Sequence, residues 1–130
     1  MNQHIGHISL IVKDYDEAIA FYIEKLQFEL IDDIDQGNGK RWVLIAPKGA
    51  SNFSLLLAKA NTEEQLSWIG NQTGGRVFLF LYTSDIESYY RLLKQNNVEL
   101  IKEITTAPYG KVAVFADLYG NKWDLIEAAK

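Results

Sequence analysis

The sequence predicts an α+β fold of two βαβββ modules, forming a curved mixed sheet with the two helices on its outer face. Three observations predict it. The chain of 130 residues has the size of one domain. Its two halves repeat one order of apolar runs, helix signals and turns. Each half places an acidic helix start directly after a run rich in β-branched or aromatic residues. Two copies are too few for a solenoid, which needs at least ~3 repeats. The expectation is therefore a single pseudo-symmetric domain over 1–130, with module one over about 1–60, a linker over about 61–75 and module two over about 76–130.

Module one opens with Ile5–Val12, where Ile8, Leu10 and Val12 form an apolar face and His7, Ser9 and Ile11 share the other. Asp14 and Glu17 have capping-box spacing and begin a helix to about Leu26, with Ala18, Ile19, Tyr22 and Leu26 as its apolar stripe. Strands follow over Phe28–Ile34, Arg41–Ala46 and Phe53–Ala58, separated by Gly37-Asn38-Gly39 and a turn over Pro47–Asn52. Asn61–Ile69 reads as a short linking helix, ended by Gly70 and followed by Gly74-Gly75. Module two repeats the order. Arg76–Tyr82 is its first strand, and Ser84 with Glu87 caps a helix over Asp85 to about Gln95, striped by Ile86, Tyr89, Tyr90 and Leu93. Strands over Val98–Ile104, Lys111–Ala116 and Lys122–Glu127 are separated by Pro108-Tyr109-Gly110 and by a Leu118–Asn121 turn. The last strands align Phe53–Ala58 with Trp123–Ala128.

Composition narrows the function classes. The absence of cysteine removes disulfides, thiolate zinc sites, iron–sulfur clusters and cysteine nucleophiles. Seventeen acidic residues against thirteen Lys and Arg give a net charge of −4, and Lys40-Arg41 is the one adjacent basic pair. Without a basic stripe, neither nucleic acid nor an anionic membrane surface is an expected partner. The longest apolar run, Val77–Tyr82, is far short of the ~20 residues of a membrane span. Met1–His7 has neither a cationic start nor a signal core, so a cytoplasmic location is expected. No G-x-S-x-G elbow, Walker loop or dinucleotide fingerprint occurs.

Four segments carry a family resemblance: His7-Ile-Ser-Leu-Ile-Val-Lys-Asp14, Ala18-x-x-Phe21-Tyr22, Leu26-Gln27-Phe28, and Asp117-Leu-Tyr-Gly120-Asn121-Lys-Trp-Asp124-Leu-Ile. The chain resembles the vicinal oxygen chelate superfamily, which includes glyoxalases, bleomycin- and fosfomycin-resistance proteins and ring-cleaving dioxygenases. Gln27 departs from the usual glycine at its position, which concerns the helix exit alone. The resemblance implies that the paired modules surround a deep ligand cavity, and that the protein forms a homodimer. It also implies that catalytic members hold a divalent metal with one ligand from the first and one from the last strand of each module.

Alignment of Asp14 with Asp85 makes Phe78 the mate of His7, and a shift of one residue would make it Val77; neither side chain can bind a metal. Asp124 occupies the family's carboxylate position, and alignment of the last strands makes Ser54 its mate. The four positions thus hold two competent ligands, His7 and Asp124, where a catalytic site needs three protein donors. His4 and Glu127 each lie three residues from a candidate ligand and so on the opposite strand face. Phe78, Phe80 and Tyr82 share the face matched to His7, an arrangement suited to a planar or apolar ligand.

Two readings follow. The favoured one is a metal-independent protein that binds a small hydrophobic or planar molecule through His7, Ser9, Ser54, Phe78, Phe80, Tyr82, Tyr109 and Asp124. No cofactor is expected in it. The alternative is a divalent-metal-dependent lyase, isomerase or dioxygenase with His7 and Asp124 as ligands and waters completing the shell. Ser54 and Phe78 disfavour a plain glyoxalase I. A metal-free enzyme with His7 as acid or base is a third outcome.

Overall fold

In the computed structural model, which describes residues 1–50 and 52–130, the repeat takes the form of two units, Met1–Ile69 and Gly70–Lys130. The first contains β1 (His7–Val12), α1 (Tyr15–Ala20), β2 (Glu29–Gly37), β3 (Lys40–Ala46), β4 (Ser54–Lys59) and α2 (Glu63–Ser67), with a π-helical turn over Phe21–Lys25 after α1. The second contains β5 (Leu79–Tyr82), α3 (Ile86–Gln95), β6 (Glu99–Ala107), β7 (Gly110–Ala116) and β8 (Lys122–Ala128). Each unit has one four-stranded mixed sheet, ordered β1-β4-β3-β2 and β5-β8-β7-β6. First and last strands pair in parallel, and the remaining neighbours are antiparallel. The α+β expectation of two βαβββ modules therefore holds. Among the described residues, no helix is long and apolar enough to cross a membrane.

The helix starts follow the predicted acids with one shift. Asp14 accepts from the Glu17 N–H at 2.8 Å. In the second unit the cap is Asp85, not Ser84: its carboxylate accepts from the Ser88 N–H at 3.1 Å and the Ser88 hydroxyl at 2.7 Å. The two carboxylate oxygens take one donor each. Gln27 and Asn97 leave their helices with φ of 59° each. That left-handed step costs a non-glycine residue ~1 kcal/mol, least for asparagine. Strands β1 and β5 are shorter than the apolar runs suggested. Their pairing begins with Ser54 N–H to Gly6 C=O and Phe78 N–H to Lys122 C=O, so the start of the last strand sets the length. The predicted 47–52 turn includes Ser51, which lies outside the described residues.

Alternation sends one face of each sheet under its helix. Leu10, Val12, Val43, Ile45, Leu55 and Leu57 are buried in the first unit, where Ala18, Tyr22 and Leu26 of the helical segment are also buried. In the second, Ala113, Phe115, Trp123 and Leu125 are buried together with Ile86 and Leu93 of α3. Intervening residues point to the open face, and these carry the site.

The two units differ at one ladder. β7 and β8 stay paired from Ala116↔Lys122 to Gly110↔Ala128, whereas β3 and β4 pair only from Ile45↔Leu55 to Val43↔Leu57. Gly110 explains the closed ladder: at φ 141° its backbone lies so close to β8 that an added Cβ would overlap the Glu127 carbonyl oxygen. The first-unit counterpart, by the matched hairpins Gly37↔Lys40 and Ala107↔Gly110, is Lys40, which cannot approach so closely. Tyr15 then takes the vacated place: its hydroxyl accepts from the Arg41 N–H at 3.2 Å, and the Arg41 guanidinium lies 5.2 Å from its ring centroid. After Asp85, the equivalent helix position is Ile86, which has no acceptor.

A turn with a buried Asp117–Asn121 pair at its base joins β7 to β8. The Asp117 carboxylate accepts from Tyr119 N–H at 3.0 Å, Asn121 N–H at 2.9 Å and Asn121 Nδ2 at 3.0 Å. Two stability tests follow. Asp117→Ala strands three donors, two of them on the buried Asn121, and is expected to lower the unfolding free energy by about 2–4 kcal/mol. Gly110→Ala is expected to cost about 2 kcal/mol or more through backbone strain and overlap. Urea unfolding followed by tryptophan fluorescence measures both, and a loss of under half a kcal/mol, i.e. about the surface-substitution scatter, would contradict the corresponding account.

Candidate functional site

In the first unit, parallel pairing sets His7 directly beside Ser54. The imidazole Nδ1 and the Ser54 hydroxyl are 2.6 Å apart. Ser54 is buried, and Trp42 presents its ring edge-on to the imidazole, with centroids 5.8 Å apart and planes at 83°. Ser54 and Trp42 therefore hold the ring at Nδ1 and on one flank. Ser9 is exposed two pairs further along, opposite Leu56. Leu44 and Ile34 extend the same face through Leu44↔Leu56 and Ile34↔Trp42.

In the second unit, Phe80 pairs with Asp124 and Tyr82 with Ile126. Phe80 and Tyr82 are 59% and 65% exposed, so two large rings of an edge strand meet solvent. Asp124 sits between Phe80 and Val114, and partial burial there raises its carboxyl above the usual range, opposed by the charge of Lys102. Phe78 is placed differently from its two neighbours: it is buried, with its ring edge-on to Trp123 at 5.9 Å. Tyr109 is exposed at the β6–β7 turn, where its carbonyl accepts from the Ala129 N–H at 2.9 Å.

Strand register changes one mate. Lys40 matches Gly110 at the hairpins, so Leu44 matches Val114; Leu44 faces Leu56 and Val114 faces Asp124. The mate of Asp124 is thus Leu56, and Ser54 matches Lys122. The cause is a connection before β4 that is longer than the one before β8, spanning 47–53 against 117–121. Similar apolar runs concealed this difference. Leucine has no donor atom, so the first unit offers even less to a metal than Ser54 suggested. Trp42, which by composition belonged to the core, is the residue that sequence reasoning missed. Its alternation with the buried Val43 and Ile45 was the available signal.

Among the described residues, Asp85, Glu87 and Glu127 bring three carboxylates within reach of one another. Each already has a structural partner. Asp85 caps Ser88, Glu127 accepts from the Ile86 N–H at 3.0 Å, and Glu87 pairs with Lys111 at 2.8 Å. The Lys111 ammonium holds the Glu87 carboxyl below its usual range. The cluster organises the start of α3.

Comparison with known proteins places these geometries. The Glyoxalase/Bleomycin resistance protein/Dioxygenase superfamily model matches residues 4–125. An uncharacterized protein of Shewanella frigidimarina is 51% identical over 98% of this chain and 95% of its own. The crystal structure of UcmS2 superposes with a TM-score of 0.86 at 29% identity, covering 98% of this chain and 100% of that one. TnmS3, an antibiotic binding protein from Streptomyces sp. CB03234, gives a TM-score of 0.77 at 29% identity over 98% of each chain. With its paired βαβββ units and a family match along nearly its whole length, the chain belongs to the Glyoxalase/Bleomycin resistance protein/Dioxygenase superfamily.

Proposed function

We propose that the protein binds a small planar, largely apolar molecule on the open face of a sheet, without a catalytic metal. The observation that carries this reading is the replacement of donors by apolar groups. Leu56 and Phe78 stand where the resemblance implies metal ligands, leaving His7 and Asp124 as two donors where three are needed. The donor set does not fit a catalytic metal. Rings compensate. In the first unit Trp42 offers a flat ring beside the His7 imidazole; in the second, Phe80 and Tyr82 offer rings on the strand that pairs with Asp124. The antibiotic binding of TnmS3 supports the same class of ligand. The homodimer implied by the family and a cytoplasmic location belong to this reading. A second copy or the ligand would cover Phe80 and Tyr82.

Calorimetric titration with a panel of uncharged planar polycyclic compounds tests the proposal, on protein purified without chelator and again after chelation. Saturable binding unaffected by chelation is expected. Stoichiometric transition metal that disappears in His7→Ala would overturn the metal-independent reading in favour of a lyase, isomerase or dioxygenase. Within the binding reading, Trp42→Ala should weaken affinity by about tenfold, since ring contacts contribute ~0.5–1.5 kcal/mol beyond area burial.

Asp124 gives a pH test. Its folded carboxyl ionises above the unfolded value of 3.8, so the ionised form opposes folding. Stability is therefore relieved as pH falls through the raised folded value, and the penalty is fully present above it. Asp124→Asn should raise Tm by about 1–3 °C at neutral pH, a modest gain because solvent screens the group. The gain should shrink as pH falls through the raised folded value and be lost well below 3.8, where both states are protonated. A gain that persists undiminished in acid would refute the assigned cause.

A further inference from the structure

One row of side chains crosses the open face of the second sheet. Phe80 pairs with Asp124, Asp124 with Val114, and Val114 with Lys102, so all four project to the same side. Tyr82, Ile126 and Val112 form the next row. β5 is an edge strand, and Phe80 lies one strand spacing, ~5 Å, from Asp124. Asp124 is the polar exception among these neighbours. Phe80 and Val114 flank it across the sheet, and Ile126 follows it on the same face. Its carboxylate is partly buried, and among the described residues no side chain or backbone N–H donates to it. Two lysines share the face without filling that role. Lys102 lies beyond Val114, two strand spacings or ~10 Å away, and acts on Asp124 through its charge alone. The Lys122 ammonium lies 3.5 Å from the Gly75 carbonyl instead. Glu99, paired with Ala116, is exposed on the far edge strand.

This arrangement constrains what can lie on the two rings. A flat molecule stacked on Phe80 also covers the neighbouring carboxylate and strips water from it. An apolar ring offers no hydrogen bond in exchange, and a carboxylate that loses water without gaining a partner is strongly penalised. A cationic nitrogen attached to the ring restores the lost bonds, and a charge-assisted bond is roughly twice as strong as a neutral one. The same cation is attracted by the faces of Phe80 and Tyr82. An anionic group is repelled. A single carboxylate among apolar neighbours gives a metal ion one donor where it needs several, whereas an amidinium needs one carboxylate and a flat surface. In the first unit the counterpart of Asp124 is Leu56, which sets no such requirement.

We infer that the open face of the second unit binds a flat aromatic cation, an amidinium or protonated amine, with its ring on Phe80 and Tyr82 and its N–H groups on the Asp124 carboxylate. This rests on the planar-ligand reading above and adds the charge and the donor group that the molecule carries.

Calorimetry with 2-naphthamidine, cationic at neutral pH, and the uncharged 2-naphthamide of the same shape tests it, with chelator present so that no metal contributes. Wild-type protein should prefer the amidine by about tenfold, the size expected of a charge-assisted pair partly screened by solvent. 2-Naphthoate should bind more weakly than the amide. Asp124→Asn should bring the amidine and amide affinities to within about twofold, because the charge-assisted bond becomes a neutral one. This variant is expected to gain Tm, so its loss of preference does not report unfolding. Asp32→Asn, the same charge change in the first unit, should retain the preference. Phe80→Ala should weaken amidine and amide together. Equal affinity for amidine and amide in the wild type, a preference that survives in Asp124→Asn, unchanged affinities in Phe80→Ala, or no binding of the amidine each overturns the inference. The planar-ligand reading fails separately, by loss of binding across the uncharged panel.

Discussion

The parallel pairing of first and last strands is the constraint on which the rest depends. A parallel pair needs a long crossover, here a helix and a hairpin, and it brings residues far apart in sequence side by side. It places His7 against Ser54 and Phe80 against Asp124. The helix in that crossover covers one face, so the opposite face must supply whatever chemistry the unit has. Polar residues on β1, β4, β5 and β8 therefore follow alternation: inward positions are apolar, and the exceptions gather where no helix lies.

The duplicated architecture is not duplicated in detail, and the divergence has a simple steric origin. A glycine at the start of β7 lets two backbones meet, whereas a lysine at the start of β3 does not. Once the ladder parts, the Arg41 N–H needs a partner. Tyr15 supplies it through its hydroxyl, and Arg41, with its charge tied to Asp33 and Asp16, braces that tyrosine. The result is a fully paired ladder in one unit and a parted one in the other.

Electrostatics separate the candidate residues further. Asp124 keeps a carboxylate in a setting where burial disfavours its charge, which is a standing cost to the fold. The three carboxylates at the start of α3 show the opposite case. They are numerous and close, yet each is consumed by capping or by Lys111, and proximity alone does not make them a site.

Fold class, strand order within each repeat, helix starts near Asp14 and Asp85, and the positions of His7 and Asp124 were all legible in the sequence, because they depend on local periodicity and capping chemistry. Strand lengths, the cap at Asp85 in place of Ser84, the match of Asp124 with Leu56, and the edge contact of Trp42 with His7 were decided by tertiary structure. Each depends on how two strands distant in sequence lie against one another. Apolar runs such as Phe53–Ala58 and Trp123–Ala128 look alike under a shift of two residues, so periodicity leaves register undetermined along such a run. Hydrogen-bonded pairing settles it, and the split ladder has the same character: Lys40 is an ordinary strand residue until the backbone opposite it is in place.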